Sequence, residues 1–289
     1  MGGVAEEHDL SEAAEPDWLA ACQRIVGGLG PMLAAHPTTS ERAVAVGRGA
    51  GGDRTLVIDQ EAEELVFAEL ARLHAAGATF TAISEERGEV DFGGGRLRVV
   101  IDPIDGSMNA KRGLSPYSLS VAVADGDTMA DVFFAFVADL SCGEVWTARR
   151  GGGAQLNGVA LAPGDSERRN RDGRLELVAI ESAYPNRLVE GAPAIAAVVH
   201  RVRVLGSMAL ALCQVAAGRL DGMATLWRCR SVDVAAAQLI VRESGGLVAF
   251  TAYDGGLGAP LDLVSHSPLV AARTPAGLAE LATLPSSIQ

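Results

Sequence analysis

One short segment of the chain, Val99-Val100-Ile101-Asp102-Pro103-Ile104-Asp105-Gly106-Ser107, joins a run of apolar residues to two carboxylates. The β-branched run 99–101 predicts a buried strand, and we expect Pro103 to end it because proline has no N–H to donate to a sheet. Asp102 would then lie at the carboxyl end of the strand and face a crevice. We expect Asp105 to cap a helix that begins at Gly106-Ser107.

The two carboxylates of this segment pose an electrostatic problem if they share one crevice. Like charges about 4 Å apart repel by roughly 4 kcal/mol at an effective dielectric constant near 20. The first turn of the following helix also offers free N–H groups, which suit a phosphate. Mg²⁺ accepts carboxylate and phosphate oxygens and would bridge the acidic partners. The alternative is a turn whose Asp residues only cap backbone groups, and the segment alone leaves both interpretations open.

Length and charge narrow the class of protein. With 289 residues and 48% hydrophobic content, the chain can bury the core of one large α/β domain or of two closely packed halves. A net charge of −12 argues against a general nucleic-acid or membrane surface. We therefore expect neither partner, and we expect an anionic substrate to be attracted locally by metal or helix ends.

The cysteines and the N-terminal residues indicate in which cellular compartment the protein is expected. The scattered cysteines form no Cys-x-x-Cys pair and predict neither a zinc site nor disulfides; they are Cys22, Cys142, Cys213 and Cys229. Residues 1–16 are acidic and lack the apolar segment of a signal peptide, so we expect a flexible tail there. No apolar run reaches the roughly 20 residues of a membrane span. A cytoplasmic location fits these features.

Hydrophobic periodicity predicts strands that first cluster and then alternate with helices, which indicates an α/β (α+β) architecture of layered sheets and helices. The predicted helices cover 17–29, 58–76, 193–200, 208–217, 232–244 and 275–284. The main predicted strands cover 79–84, 118–124, 130–138, 145–148, 175–180, 201–205, 223–226, 247–250 and 261–265.

Three segments together resemble the signature segments of the inositol monophosphatase family, which comprises Mg²⁺-dependent, lithium-sensitive phosphatases. They are Ser84-Glu85-Glu86, Asp102-Pro103-Ile104-Asp105-Gly106-Ser107 and Val232-Asp233-Val234-Ala235-Ala236. Arg228 and Arg230 are similar to residues of the archaeal-type inositol monophosphatase/fructose-1,6-bisphosphatase subgroup. Val232 departs from the family, which often has Trp there. The resemblance implies an αβαβα layered sandwich of the sugar phosphatase type, a single domain over 17–289 with halves 17–170 and 171–289.

The resemblance also implies roles for individual residues. The metal ligands for two or three Mg²⁺ ions would be Glu85, Asp102, the backbone carbonyl of Ile104, Asp105 and Asp233. The catalytic residues would be Glu85, Ser107 and Asp59, the last two holding the attacking water. The substrate-binding residues would be Gly106, Ser107, Gly206, Ser207, Arg228 and Arg230. The two arginines could take a second phosphate, or they could simply balance nearby carboxylates.

The function implied by the resemblance is hydrolysis of a small sugar or inositol phosphate. Inositol 1-phosphate and fructose 1,6-bisphosphate are the expected substrates, and a cytoplasmic homodimer is the expected form. Histidinol phosphate and 3′-phosphoadenosine 5′-phosphate are alternative substrates within the same chemistry, and a non-catalytic metal-binding homologue is a further alternative. A dinucleotide-binding module is not favoured, because Gly151-Gly152-Gly153 opens no helix after a strand.

Overall fold

The computed structural model describes residues 15–50, 52, 54–162, 166–264 and 267–285. The tail expected at 1–16 lies almost wholly outside the described residues. The described helices are α1 (Trp18–Ala35), α2 (Thr39–Arg42), α3 (Val57–Ala75), α4 (Ser107–Arg112), α5 (Pro185–Val198), α6 (Met208–Ala216), α7 (Ser231–Glu243) and α8 (Pro275–Leu281).

The described strands follow the same chain order. They are β1 (Ala45–Arg48), β2 (Arg54–Leu56), β3 (Phe80–Ser84), β4 (Gly88–Phe92), β5 (Leu97–Asp105), β6 (Ser118–Ala124), β7 (Val132–Asp139), β8 (Val145–Arg149), β9 (Gly153–Leu156), β10 (Val159–Ala160), β11 (Leu175–Glu181), β12 (Val199–Arg203), β13 (Gly222–Thr225), β14 (Leu247–Phe250) and β15 (Leu269–Ala272).

Two large sheets and one small hairpin contain these strands. The larger sheet has the order β10-β9-β8-β7-β6-β5-β3-β4, and the smaller has the order β12-β11-β13-β15-β14. In the larger sheet β3 runs parallel to β5, and in the smaller β11 runs parallel to both β12 and β13. The carboxyl ends of each parallel group therefore meet at one sheet edge, which is where ligands bind in sheets of this kind.

Alternating side chains on β5 set the order of the layers. Val99 and Ile101 share a core with α1 and α3, whereas Val100 points to the other face and shares a core with α6 and α7. The smaller sheet closes this second core from the far side, and α5 and α8 cover its outer face. The αβαβα order expected from the family resemblance is confirmed.

Small side chains allow α7 to fit between the two sheets. Its residues from Ser231 to Val241 are all buried, and Ala235, Ala236 and Ala237 occupy the middle of that stretch. Because alanine adds little volume, the helix lies close to both sheets at once. The smaller half of the fold is thereby joined to the larger half through α7.

The prediction that Pro103 ends the strand is wrong. β5 continues to Asp105, and its pairing with β6 is irregular: Asp102 lies opposite Ser120 and Asp105 opposite Ser118, so β5 carries one extra residue. Pro103 is tolerated within this bulge because the ladder needs no N–H there. Residues three apart in a regular strand point to opposite faces. The extra residue brings the carboxylates of Asp102 and Asp105 to the same face.

Two predicted helix boundaries also differ from the structure. The first helix continues past Gly28 and Pro31 to Ala35, because Leu29 and Leu33 are buried against neighbouring elements and this packing outweighs weak local propensity. The helix predicted at 193–200 begins eight residues earlier, where Pro185 occupies its first turn. Proline favours that position, since the N–H it lacks has no partner there in any helix.

The predicted strand at 261–265 is not formed over 261–264, and residue 265 lies outside the described residues. The Asp262 side chain accepts a hydrogen bond from the amide of Val264 at 2.9 Å, which stabilises a bend instead of a strand. The strand lies further along, at Leu269–Ala272, and pairs with both β13 and β14. Among the described helices, none combines the length and apolar character that crossing a membrane requires.

Candidate active site

A cleft of about 420 Å³ opens where the carboxyl ends of β3 and β5 face the smaller sheet. Its lining includes most of the residues that the sequence predicted for catalysis and metal binding. These residues are Asp59, Glu85, Asp102, Ile104 and Ser107, and Arg230 of the predicted substrate-binding set also lines the cleft. Glu86, Met108, Lys111 and Tyr184 also line it, although the sequence reasoning gave them no role.

Three carboxylates from distant segments converge at this cleft: Glu85 and Asp102 line it, and Asp233 lies beside them. Glu85 follows β3, Asp102 lies in β5 directly before the bulge, and Asp233 is the third residue of α7. One oxygen from each of the three lies within 4.8 Å of the others. Asp102 and Asp233 are 4% and 5% exposed, so water cannot fully compensate their charges. The three segments that carried the family resemblance thus form one site.

Asp105 does not cap its own helix as predicted. Gly106 occupies the cap position of α4 in a left-handed conformation, with φ near 90°. Asp105 instead accepts hydrogen bonds from the Ser207 hydroxyl and from the amides of Met208 at 3.3 Å and Ala209 at 2.8 Å. These donors form the cap and first turn of α6, where a carboxylate is stabilised.

Burial and mutual repulsion raise the pKa values of Glu85, Asp102 and Asp105. Burial, opposed by Arg230 and reinforced by Asp233, raises the pKa of Glu85 to about 8. The pKa of Asp102 is raised well above its usual value by burial and then by Glu85, Asp105 and Asp233. Burial and the charge of Asp233 raise the pKa of Asp105 to about 7. A bound divalent cation would reverse these shifts by stabilising the ionised forms.

The donor set fits Mg²⁺. Its atoms are all oxygens, which hard divalent cations prefer, and they are carboxylates held by backbone and helix contacts. Ile104 donates its amide to Asp102 at 3.0 Å, and Arg230 donates its amide to Asp233 at 3.0 Å. Each carboxylate is therefore oriented before any ion binds. The raised pKa values show that protein groups only partly compensate the negative charge.

The two predicted arginines occupy different environments. The Arg230 guanidinium donates to Glu85 and to Asp233 Oδ1, the latter at 3.2 Å, so it balances two proposed metal ligands. Arg228 is exposed, and its guanidinium lies 5.4 Å from the centroid of the Trp227 ring. Arg187 lies 4.2 Å from the same ring. Of the two arginines, Arg230 belongs to the cleft lining and Arg228 to the adjacent surface.

Asp59 carries an unpaired buried oxygen beside the cleft. Its Oδ2 accepts the Leu56 amide at 3.1 Å, whereas its Oδ1 is buried and has no hydrogen-bond partner among the described residues. Burial raises the pKa of Asp59 to about 6. Ser107 lines the same cleft as the first residue of α4, and Lys111 lies one helical turn beyond it on the same side. The four-residue spacing of Ser107 and Lys111 was visible in the sequence, but no sequence pattern indicated that Lys111 lies in the cleft.

Gly206 and Ser207 lie on the loop before α6. Gly206 adopts φ near 77°, and a Cβ there would come within 2.9 Å of the Asn109 side chain. Ser207 is 1% exposed and is engaged by Asp105. A buried Glu63 was also missed; it accepts the Ser84 hydroxyl at 2.6 Å, directly before Glu85. On the same helix Glu61 is half-buried and Glu64 is exposed, so the run of glutamates did not single out Glu63.

Comparison with known proteins agrees with this geometry. The model of the inositol monophosphatase family matches residues 19–287. A Methanothermobacter thermautotrophicus protein named fructose-1,6-bisphosphatase/inositol-1-monophosphatase is 35% identical over 247 residues, or 81% of this chain and 84% of that protein. The Escherichia coli K12 protein named Nus factor SuhB is 32% identical over 228 residues, 76% of this chain and 80% of that protein.

Solved structures resemble the fold over nearly its whole length. A crystal structure of an inositol monophosphatase-fructose 1,6 bisphosphatase has a TM-score of 0.78 at 24% identity, and the match covers 92% of this chain and 98% of the other. The extragenic suppressor protein suhB of Bartonella henselae has a TM-score of 0.73 at 26% identity, covering 91% and 96%.

Proposed function

Because this chain belongs to the inositol monophosphatase family, we propose that it hydrolyses inositol 1-phosphate, fructose 1,6-bisphosphate or both, with Mg²⁺ as its cofactor. The chain is a phosphoric monoester hydrolase, and its substrate class is a small sugar or inositol phosphate. The observation that supports the proposal most directly is the convergence of Glu85, Asp102 and Asp233 within 4.8 Å.

We propose two overlapping sets of ligands for two or three ions. Glu85, Asp102 and the carbonyl of Ile104 would hold the first ion, and Asp102, Asp105 and Asp233 the second. Bound Mg²⁺ supplies Lewis-acid chemistry: it favours water as a nucleophile at neutral pH and stabilises negative charge on the phosphoryl group. The oxygen-only donor set and the raised carboxyl pKa values support this assignment.

The remaining residues of the cleft bind and orient. Ser107 and Asp59 would hold the attacking water: the Ser107 hydroxyl would donate a hydrogen bond to the Asp59 oxygen that has no partner among the described residues, and would accept a hydrogen bond from the water. The amides of Gly106 and Ser107 bind phosphate oxygens. Gly206 and Ser207 border the substrate ring from the opposite half. This assignment is supported by the shared cleft lining of Asp59 and Ser107 and by the close approach of Gly106 to Gly206.

For a bisphosphate substrate, we propose that the second phosphate lies near Arg228 and Arg230. Arg228 is exposed, and its guanidinium lies within cation–π distance of the Trp227 ring, which restricts its orientation. Arg230 already pairs with Glu85 and Asp233. Its contribution to binding the second phosphate therefore depends on whether bound Mg²⁺ replaces it as the partner of these two carboxylates. We further propose a cytoplasmic homodimer built from a single domain, supported by the family and by four free cysteines.

Phosphate release from a panel of phosphomonoesters, with and without Mg²⁺, tests the function. The panel contains inositol 1-phosphate, fructose 1,6-bisphosphate, histidinol phosphate and 3′-phosphoadenosine 5′-phosphate. We expect Mg²⁺-dependent turnover of the first two, and the double variant Asp102→Asn/Asp233→Asn is expected to be inactive. Activity that survives the double substitution would refute the two-metal assignment.

The arginine assignment is tested by substrate comparison. Arg228→Ala and Arg230→Ala are expected to raise KM for fructose 1,6-bisphosphate much more than KM for inositol 1-phosphate, because only the former has a second phosphate. Equal losses on both substrates would show that the arginines balance carboxylates instead.

A further inference from the structure

Glu181 is a buried carboxylate outside the proposed catalytic set. It is the last residue of β11 and is 2% exposed. Its two oxygens accept hydrogen bonds from consecutive backbone amides, Leu205 at 2.7 Å and Gly206 at 3.0 Å. Burying a carboxylate is costly, so two well-formed charge-assisted hydrogen bonds at this position indicate a specific structural task.

The same two-residue loop is held from its other side by the first half of the chain. Asn109, on α4, donates its side-chain amide to the carbonyls of Leu205 and Pro116, each at 2.8 Å. Gly206 permits this contact, because a Cβ there would come within 2.9 Å of the Asn109 amide nitrogen. Residues 205–206 are therefore clamped between Glu181 on one side and Asn109 on the other.

The residues that follow this loop supply the hydrogen bonds to Asp105. Ser207 donates its hydroxyl, and Met208 and Ala209 donate their amides as the first turn of α6. Ser207, Met208 and Ala209 follow residues 205–206 directly in the chain, so a displacement of these two residues is passed on to all three donors of Asp105.

We infer that Glu181 is a positioning residue of the active site. It fixes loop 205–206 so that the start of α6 orients the Asp105 carboxylate toward the proposed ion site. The metal-binding part of this inference rests on the proposed function, whereas the hydrogen-bonding part does not. Substitution of residues that hold metal ligands in position commonly changes metal affinity, although these residues do not contact the ion.

Glu181→Gln is the direct test, and Glu167→Gln is its matched control. Glutamine has the same shape but replaces one carboxylate oxygen by an NH₂ group, which would face a backbone N–H donor with another donor. Glu167 is likewise buried and accepts two consecutive amides, Arg273 at 3.0 Å and Thr274 at 2.6 Å, at the start of α8. Both substitutions alter a buried carboxylate that accepts two consecutive amides, but only Glu181 holds the loop that leads to the donors of Asp105. The contact of Glu167 is disturbed less, because its Oε1 accepts both amides and its Oε2 accepts the Thr274 hydroxyl.

Two measurements on the full-length protein test whether Glu181 positions the Asp105 carboxylate. In the absence of metal, hydrogen exchange at the amides of Met208 and Ala209 should be faster in Glu181→Gln than in wild type and unchanged in Glu167→Gln. By calorimetry, the Kd for Mg²⁺ should rise roughly 10- to 100-fold in Glu181→Gln and stay at the wild-type value in Glu167→Gln. A lowered Tm alone does not test the inference, because any disturbed buried carboxylate can lower it.

The inference is overturned if folded Glu181→Gln keeps wild-type exchange at these two amides, or if its Kd for Mg²⁺ equals that of Glu167→Gln. If Glu181→Gln does not fold, Asn109→Ala releases the same loop from its other side and must show the same two effects. Failure of the wild-type protein to bind Mg²⁺ would refute the proposed function, while the metal-free exchange experiment would still decide the role of Glu181.

Discussion

Replacing Glu85 by glutamine is expected to stabilise the metal-free protein at alkaline pH while weakening its response to Mg²⁺. Burial, opposed by Arg230 and reinforced by Asp233, raises the pKa of Glu85 from 4.5 to about 8. Because the folded pKa lies above the unfolded one, the associated stability is complete below about pH 4.5 and is lost as the pH rises through about 8. The wild-type protein without metal should therefore lose stability between pH 5 and pH 9.

The size of the expected change in the free energy of unfolding follows from the pKa shift of Glu85. One pKa unit corresponds to about 1.4 kcal/mol, so ionising Glu85 in the folded protein costs up to roughly 5 kcal/mol at pH 9. Glutamine is neutral at every pH and avoids that cost, and the contact of the ionised carboxylate with Arg230 is already included in the pKa of about 8. A gain of up to roughly 5 kcal/mol is therefore expected in the free energy of unfolding at pH 9, which raises Tm by about 8–10 °C in a chain of this length.

Thermal unfolding followed by circular dichroism at pH 5, 7 and 9, with EDTA or with Mg²⁺, measures this prediction. Glu64→Gln, on the exposed face of α3, is the control and should not change Tm at any of the three pH values. With Mg²⁺ present the order should reverse, because wild type gains binding free energy that the variant lacks. If Glu85→Gln unfolds at a lower temperature than wild type at pH 9 with EDTA, the cluster is not repulsive and the reasoning fails.

Three further outcomes are expected. Ser107→Ala should lower kcat roughly 100-fold with little change in Mg²⁺ affinity, because it removes a water-orienting hydroxyl and no metal ligand. Steady-state kinetics measures kcat and calorimetry measures the Kd for Mg²⁺, and a joint loss of kcat and Mg²⁺ affinity would contradict this role of Ser107. Lys111→Met should raise KM about tenfold for monophosphate and bisphosphate alike, because an ammonium group in the cleft lining attracts any phosphate, and an unchanged KM would exclude contact with substrate. Ala236→Leu should lower the free energy of unfolding by about 1–3 kcal/mol in a urea titration, because α7 is enclosed between two sheets, and an unchanged midpoint would contradict the close packing.

Sequence pattern was informative wherever one local rule decided the structure. The stripe of α3, the starts of α6 and α7 and the strands on either side of residues 125–131 follow from periodicity and were predicted within a few residues. Glu85, Asp102 and Asp233 were selected because three short motifs occurred together in order. Their convergence could not have been deduced from any one of them.

The features that the sequence missed depend on contacts between distant residues. The bulge at Pro103 depends on the strand paired with it, and the partners of Asp105 lie about a hundred residues away on α6. The pairing of Arg230 with Glu85 spans 145 positions, so a sequence window shows only an arginine near an aspartate. Glu181 carried no local signal, because it ends a strand like many other residues.

The enclosed position of α7 determines which parts of the protein can accept substitutions under selection. A helix sealed on all sides cannot be re-aimed by surface substitutions, so the carboxylate of Asp233 is held in one orientation while the cleft mouth is free to vary. Tyr184 and Arg228 are exposed, and substitutions there add or remove side chains without disturbing a core. Laboratory selection for a new phosphate ester should therefore accumulate its changes around these two positions and leave the middle layer untouched.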